Sequence, residues 1–379
     1  MTMLRNMAIA LGVAAVTSHG AAMANETYKI GISAGKTGYV ATIDNAWVLG
    51  AELAADQLNK SGGIMGKTVV ILSEDNKSEP QEAVKIYQKM INSDQVDAFA
   101  SGCVSAGNLA AAGLLVRNEI PLVGCSILPK KDEEIRWSFT TLPPPRFEVE
   151  TRLAYLESNP KFETFGVIFD PSPYAKLQAE IAENLAADFG LEFVGSEQYD
   201  HKDADLSVQI GKLNAAGADA ILKMGVGGTT LTAVNNIKQL GFDIPLLTSL
   251  EDLAVFGPAS ELLGDNFMFV ASASQIPSAL EDGGLKDAIN TFLVPWKASE
   301  GDRDPSWAGR GWDAVMLINQ AVLDAGSTDG AAVRDALETL QNFQGTTGTY
   351  SHSVTVHQGL TENPLFLARI RAGKPEILQ

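Results

Sequence analysis

The amino-acid sequence predicts an α/β protein made of two doubly wound lobes, each built on a parallel sheet. Short apolar runs alternate with longer amphipathic stretches along the chain. Such a β-α-β alternation requires a parallel sheet that is covered by helices on both faces. The alternation is interrupted by Leu142-Pro143-Pro144-Pro145 and then restarts. Because 379 residues are too many for one ordinary core, this interruption indicates a crossing between two lobes.

The part of the chain before the proline triplet gives a regular series of elements. Strands are predicted at residues 28–33, 68–73, 98–101 and 121–124, and helices at 44–60, 78–91 and 107–116. The first helix has four apolar residues on one face, namely Trp47, Ala51, Ala54 and Leu58. Gly62-Gly63-Ile64 then ends this helix before the second strand.

The same alternation continues after the prolines. Strands are predicted at 165–169, 192–199, 218–223, 245–248 and 266–271, and helices at 175–189, 207–216, 230–240 and 311–325. The tail, 345–379, contains alternating segments at 348–356 and 365–370, which are typical of strands. The two halves therefore share an architecture, although no short sequence repeat connects them.

The first 24 residues are predicted to be a secretory signal peptide. Arg5 supplies a positive charge, residues 7–16 are apolar but too few to span a bilayer, and Ala22-Met23-Ala24 offers small residues to a signal peptidase. A buried N-terminal helix or a membrane anchor is the alternative. No later apolar run approaches the roughly 20 residues of a membrane span. We therefore expect an exported protein that is not embedded in a membrane.

Charge and motifs exclude several classes of function. A net charge of −18 argues against nucleic acids and anionic membranes as partners, because both attract positive surfaces. Gly225-Val226-Gly227-Gly228 follows a strand but lacks the spacing of a phosphate loop, so a tight turn is expected. No histidine pair has the spacing of a metal site, and no G-x-S-x-G elbow is present. We expect no enzyme activity, no cofactor and no metal.

Two doubly wound lobes in an exported acidic chain suggest that a ligand binds in a cleft. In open parallel sheets, ligands bind beyond the carboxyl ends of the strands, where loops and helix N-termini face them. The residues that directly follow the strands are therefore the candidates for a binding site.

At these positions the sequence resembles the branched-chain amino-acid-binding family of periplasmic proteins that serve ABC transporters. Residues 57–67, QLNKSGGIMGK, are similar to the family's Asn-x-x-Gly-Gly-Ile-x-Gly-Arg segment, and residues 311–315, GWDAV, to its Tyr-Asp-Ala-Val helix. Further matches lie in the same order along almost the whole mature chain: Ile30-Gly31, Thr37-Gly38, Asp75, residues 96–98, Ser105, Gly107, Asp170 and Tyr174.

The resemblance implies a type I periplasmic-binding fold, in which three crossings form the hinge. We place the crossings near Leu142, Val270 and Gly348. Residues 25–141 and 271–347 would then form lobe one, and residues 142–270 and 348–379 lobe two. Such lobes close on a ligand like a hinged trap. The resemblance also implies a location in the periplasm and, as partners, the permease and ATPase subunits of an ABC importer.

Ser105 is the first candidate ligand-binding residue. It lies in a strand-to-helix turn, where a hydroxyl and backbone N–H groups converge at a helix N-terminus. By position it matches the family's hydroxyl that receives the ligand carboxylate. The alternative is a residue that only caps the helix, and both roles are compatible.

The resemblance implies further contacts from both lobes. Ser126 and Leu128 match a second loop for the carboxylate and the amine, and Tyr174 matches a side chain that enters the cleft from lobe two.

An α-amino ligand also needs an acidic group for its ammonium, since a buried unpaired charge is costly. Glu251 and Asp252, directly after the strand at 245–248, are the candidates. An apolar wall is expected from Tyr39, Ile43, Leu128 and Trp312, any of which could instead pack in the core.

Cys103 and Cys125 end two strands that the β-α-β order makes neighbours. An exported protein permits a disulfide between them, which would contribute about 3 kcal/mol in the loop-entropy model. Neighbouring positions on parallel strands do not guarantee suitable geometry, so two buried thiols are the alternative.

The leading expectation is a binding protein that delivers a branched-chain or related apolar amino acid to an ABC importer. An aromatic or aliphatic carboxylate, or an amide, is the alternative ligand. A periplasmic receptor that senses its ligand is the alternative role, since the same fold serves both.

Overall fold

A computed structural model describes residues 26–378 of the protein. The predicted signal peptide, residues 1–24, lies outside the described residues. The strands in chain order are β1 (Thr27–Ala34), β2 (Thr68–Asp75), β3 (Ala98–Phe99), β4 (Leu122–Gly124), β5 (Ser138–Thr140), β6 (Thr164–Phe169), β7 (Glu192–Gln198), β8 (Ala220–Met224), β9 (Leu246–Thr248), β10 (Phe267–Ser272), β11 (Phe343–Gln344), β12 (Thr349–Tyr350), β13 (Leu365–Arg371) and β14 (Lys374–Ile377).

Twelve α-helices connect these strands in the described part of the chain. They are α1 (Ala41–Lys60), α2 (Pro80–Lys89), α3 (Ser105–Asn118), α4 (Asp132–Ile135), α5 (Pro145–Ser158), α6 (Pro173–Leu185), α7 (Ser207–Ala215), α8 (Thr229–Leu240), α9 (Leu253–Leu263), α10 (Gly284–Glu300), α11 (Ser306–Ala325) and α12 (Gly330–Thr339). No helix among residues 26–378 is long and apolar enough to cross a membrane.

Two sheets organise the fold. The first has the strand order β2-β1-β3-β4-β5 and is parallel throughout. The second has the order β14-β13-β10-β9-β8-β6-β7, and only β13 and β14 are antiparallel to their neighbours. The prediction of an α/β fold with doubly wound parallel sheets is confirmed.

Helix α11 follows β10 and α10 in the chain and packs in the first lobe. It packs on α1 so closely that a Cβ at Gly50 would collide with the carbonyl oxygen of Ala308, and one at Gly311 with that of Trp47. Glycine is required at both positions because the two backbones are nearly in contact. This packing makes α11 part of the lobe that contains the first sheet.

The tail stays with the first lobe longer than a crossing near Gly348 implies. The Tyr350 hydroxyl donates to Asp313 at 3.3 Å, and the ring of His357 stacks on Phe139 with centroids 4.3 Å apart. The chain reaches the second sheet only at β13. We therefore propose that the third crossing lies at residues 361–364, and the predicted bounds of the two lobes stay predictions.

Candidate ligand-binding site

A small cavity of about 30 Å³ lies between the two lobes, at the carboxyl ends of their strands. This volume holds about two water molecules. Its wall is largely apolar. The first lobe, including the crossing, contributes Tyr39, Val40, Ile43, Cys103, Ser105, Cys125, Leu142 and Trp307, and the second lobe contributes Ser172, Tyr174, Val226 and Leu250.

The buried carboxylate of Asp44 holds together two loops of the first lobe. Its Oδ2 accepts the backbone N–H of Gly35 at 2.6 Å, and its Oδ1 accepts that of Cys103 at 2.7 Å. Burial raises the pKa of Asp44 to about 7, against the lowering effect of these two N–H groups. Asp44 therefore links the loop after β1 to the loop after β3, and both loops supply residues to the cavity.

A disulfide joins Cys103 to Cys125, with the two Cα atoms 4.5 Å apart. It connects the loops after β3 and β4, and both cysteines line the cavity. Ser105 follows at once as the first residue of α3, and its backbone N–H donates to the Cys103 carbonyl at 3.0 Å. The disulfide and Asp44 thus fix the position of Ser105 relative to the rest of the cavity.

In the second lobe, the carboxylate of Glu148 connects Tyr174 with the backbone at Leu250. The Tyr174 hydroxyl donates to its Oε1, while its Oε2 accepts the N–H of Leu250 at 2.9 Å. Burial and the nearby Glu148 raise the pKa of Tyr174 well above its ordinary value, so the phenol stays neutral. Ser172 caps α6 by accepting the N–H of Ala175 at 3.2 Å.

Glu251 lies behind the glycine-rich turn rather than in the cavity wall. Its Oε2 accepts the N–H of Gly227, and its Oε1 accepts that of Asp252 at 3.3 Å. Burial raises the pKa of Glu251 to about 7, opposed by Gly227 and by Lys223. Burial also lowers the pKa of Lys223 to about 8. Glu251 therefore shapes the turn that presents Val226 to the cavity.

The two lobes touch directly at the mouth of the cleft. The ring of Tyr39 stacks on that of His201, with centroids 3.7 Å apart and planes 8° from parallel. Gly227, with φ +95°, faces the Tyr39 carbonyl so closely that a Cβ there would lie 2.6 Å from the oxygen. An outer groove of about 580 Å³ begins here, and Tyr39 and Ser172 line both the groove and the cavity.

The structure brings together part of the predicted site. Tyr39, Ile43, Ser105 and Tyr174 all line the cavity, as do both cysteines. Glu251 lies next to the wall but faces backbone N–H groups.

The other predicted residues are placed elsewhere. Ser126 is buried beside Cys125, where its N–H donates to the Thr140 hydroxyl at 3.4 Å. Leu128 lines a separate groove because the loop after Cys125 turns toward α6. Trp312 packs against Phe292, with ring centroids 5.6 Å apart. None of the three lines the cavity.

Sequence reasoning missed several lining residues: Val40, Leu142, Ser172, Val226, Leu250 and Trp307. The sequence did indicate the position of one of them, because Ser172 precedes Pro173, a pair typical of a helix start. Trp307 was missed because α11 begins at Ser306, five residues before the predicted start.

Among residues 26–378, no group of three or more His, Cys, Asp or Glu could hold a metal ion.

Comparisons with known proteins agree on the family and the fold. The sequence profile described as "Periplasmic binding protein" matches residues 27–375. A leucine-, isoleucine-, valine-, threonine- and alanine-binding protein of Pseudomonas aeruginosa is 24% identical over 354 residues, which cover 91% of this chain and 90% of that protein.

Solved structures give the same fold. An extracellular ligand-binding receptor of Rhodopseudomonas palustris HaA2 superposes with a TM-score of 0.84 at 19% identity, covering 93% of this chain and 100% of that one. An ABC transporter solute-binding protein of R. palustris, in complex with benzoate, has a TM-score of 0.77 at 18% identity, covering 93% and 95%.

We predict that Asp44→Asn changes how stability depends on pH. The pKa of Asp44 is raised from 3.8 to about 7, so the folded protein holds a proton that the unfolded chain releases. Its contribution to stability therefore grows as the pH falls through 7. The unfolding free energy of the wild type minus that of the variant should be about 2 kcal/mol larger at pH 5.5 than at roughly pH 8. Urea denaturation at both pH values measures it, and an unchanged difference would contradict the prediction.

We also predict that Gly227→Ala keeps the lobes from meeting. The new Cβ would lie 2.6 Å from the Tyr39 carbonyl oxygen, and φ +95° disfavours any residue except glycine. Small-angle X-ray scattering should show a larger radius of gyration than that of the wild type. Gly228→Ala is the matched control, because a Cβ added there would have no atom within 4 Å and the φ of Gly228 is −56°. Identical scattering from all three proteins would show that Gly227 does not govern closure.

Proposed function

The chain belongs to the periplasmic binding protein family, and we propose that it is the solute-binding component of an ABC importer. The cleft between the lobes carries this proposal, because side chains of both lobes line its inner cavity and its outer groove of about 580 Å³. Closure around a small solute would mark the loaded protein for the permease and ATPase subunits. Residues 1–24 would direct the chain to the periplasm as a signal peptide.

A branched-chain or related apolar amino acid is the first candidate solute. The wall is made largely of apolar side chains, such as Ile43, Leu142, Val226 and Leu250, which favour an apolar ligand. Ser105, at the N-terminus of α3, is suited to receive a carboxylate. The relative from Pseudomonas aeruginosa, described as binding leucine, isoleucine and valine, supports this candidate.

A carboxylate without an amine is the second candidate, and the placement of the acidic residues favours it. A buried ammonium needs an acidic partner. Both oxygens of Glu251 accept backbone N–H groups, and those of Glu148 accept from Tyr174 and Leu250. No Asp or Glu is among the described residues that line the cavity. The benzoate complex of the protein from R. palustris supports a ligand of this kind.

A receptor that senses its solute is the remaining alternative role. Capture between closing lobes is the same event in a sensor and in a transporter, so the cavity fits both. Binding without chemistry agrees with the family's description as periplasmic binding proteins and with the relative from Pseudomonas aeruginosa, which is described as a binding protein.

A thermal-shift screen of the protein without residues 1–24 tests the proposal. Leucine, isoleucine, valine, benzoate and 4-methylpentanoate are compared with lysine and aspartate as controls. A solute present at about 100 times its Kd should stabilise the protein by about 2.7 kcal/mol. We expect a shift from at least one apolar compound and none from the controls. Shifts from amino acids alone identify the first candidate, and shifts from plain acids alone identify the second. No shift from any compound would contradict the proposed function.

A further inference from the structure

The cavity between the lobes is too small for a solute of amino-acid size. Its volume is about 30 Å³, whereas pockets that hold small ligands have roughly 300–1,000 Å³. Its walls are held in place, because Asp44 and the disulfide fix the loops of the first lobe and Glu148 fixes those of the second. Room for a solute therefore comes mainly from a movement of one lobe away from the other.

The stack of Tyr39 on His201 opposes this movement. Tyr39 follows β1 of the first lobe and His201 follows β7 of the second. Their ring centroids are 3.7 Å apart, and the ring planes are 8° from parallel. Rings at this distance are in van der Waals contact, so even a small separation of the lobes breaks the stack. An aromatic pair stabilises the arrangement in which it forms, beyond the area that it buries.

The stack lies between the outer groove and the cavity. His201 lines the groove of about 580 Å³, whereas Tyr39 lines both the groove and the cavity. The backbone of Tyr39 also meets the second lobe, since a Cβ at Gly227 would lie 2.6 Å from the Tyr39 carbonyl oxygen. Tyr39 therefore contacts the second lobe through its ring and its backbone, at the place where a solute would pass from the groove to the cavity.

The closed arrangement leaves polar atoms beside the stack unpaired. Nδ1 of His201 is buried and has no hydrogen-bond partner among residues 26–378. In the same part of the chain, Oδ2 of Asp170, 3.7 Å from that nitrogen, is also buried and also lacks one. Buried polar atoms without partners cost free energy. This cost offsets part of the stabilisation that the stack provides, so a solute that binds between the lobes can displace the closed arrangement.

We propose that the Tyr39–His201 stack is an autoinhibitory latch, which holds the lobes of the solute-free protein too close together for a solute to bind. This inference rests on the proposed function, since the latch competes with the solute that the cleft takes up. A protein whose binding-competent state is only partly populated has an apparent affinity that is reduced by that fraction. Loss of the stack should therefore strengthen solute binding, whereas loss of a side chain that contacts the solute would weaken it.

Small-angle X-ray scattering of the protein without residues 1–24, purified free of solute, tests the latch. His201→Ala removes one ring of the stack and should give a larger radius of gyration than that of the wild type. His201→Phe keeps a ring and should scatter like the wild type. Lys202→Ala is the matched control, because Lys202 lines the groove next to His201 and takes no part in the stack. Equal radii of the wild type and His201→Ala would refute the latch.

The wild type alone offers a second measurement, which does not depend on the folding of any variant. The ring protons of His201 lie against the face of the Tyr39 ring, so their resonances should be shifted upfield in the solute-free protein. Unshifted resonances would show that the stack does not form in solution, and the latch would be refuted.

Calorimetry measures the competition between the latch and a solute. The probes are leucine, isoleucine, valine, benzoate and 4-methylpentanoate. His201→Ala should bind the probe that the wild type binds roughly three- to tenfold more tightly, since the stabilisation by one aromatic pair is of that order. His201→Phe and Lys202→Ala should bind it like the wild type.

The outcomes separate the two proposals. If a probe binds to the wild type and His201→Ala binds it equally or more weakly, the latch is refuted while the proposed function stands. Binding to His201→Ala but not to the wild type would support both proposals. If no probe binds to any of these proteins, the proposed function fails and this inference fails with it.

Discussion

The buried carboxylate of Asp44 is the interaction on which the binding site depends. Two loops that follow different strands each present a backbone N–H, and Asp44 accepts both. A carboxylate that leaves water needs such donors, since its desolvation is otherwise uncompensated. The disulfide extends the connection to a third loop through Cys125. Three loops of the first lobe therefore behave as one rigid wall, with Ser105 at its edge.

In the second lobe, buried carboxylates also connect the loops behind the cavity wall, but they belong to different residues. Glu148 connects Tyr174 to Leu250, and Glu251 holds the turn at Gly227. In both lobes, buried carboxylates satisfy backbone and hydroxyl donors from behind the wall. The side chains that remain toward the cavity are mostly apolar. An apolar solute can then bind between two rigid surfaces with little ordering of either, which favours affinity.

Most of the fold could be predicted from the sequence, because strand and helix periodicity repeats over many elements. The residues of the binding site were harder to predict from the sequence. Ser105 and Tyr174 follow strands and also match the family resemblance, and together these two indications placed them in the cleft. Trp312 was misplaced because periodicity cannot tell which face of a buried helix meets a cavity and which meets Phe292. Leu128 depended on the path of an irregular loop, and Trp307 on a helix that starts after Asp304-Pro305, five residues before its predicted start.

The central claim is that a solute is held in the cleft at the N-terminus of α3, by Ser105. Calorimetry of Ser105→Ala with the solute that the wild type binds tests this claim most directly. The account predicts that affinity falls by about 1–3 kcal/mol, as for a lost hydrogen bond to a charged group. Ser126→Ala, which alters a buried hydroxyl beside Cys125 but outside the cavity wall, should bind like the wild type. Equal affinity of Ser105→Ala and the wild type would contradict the account.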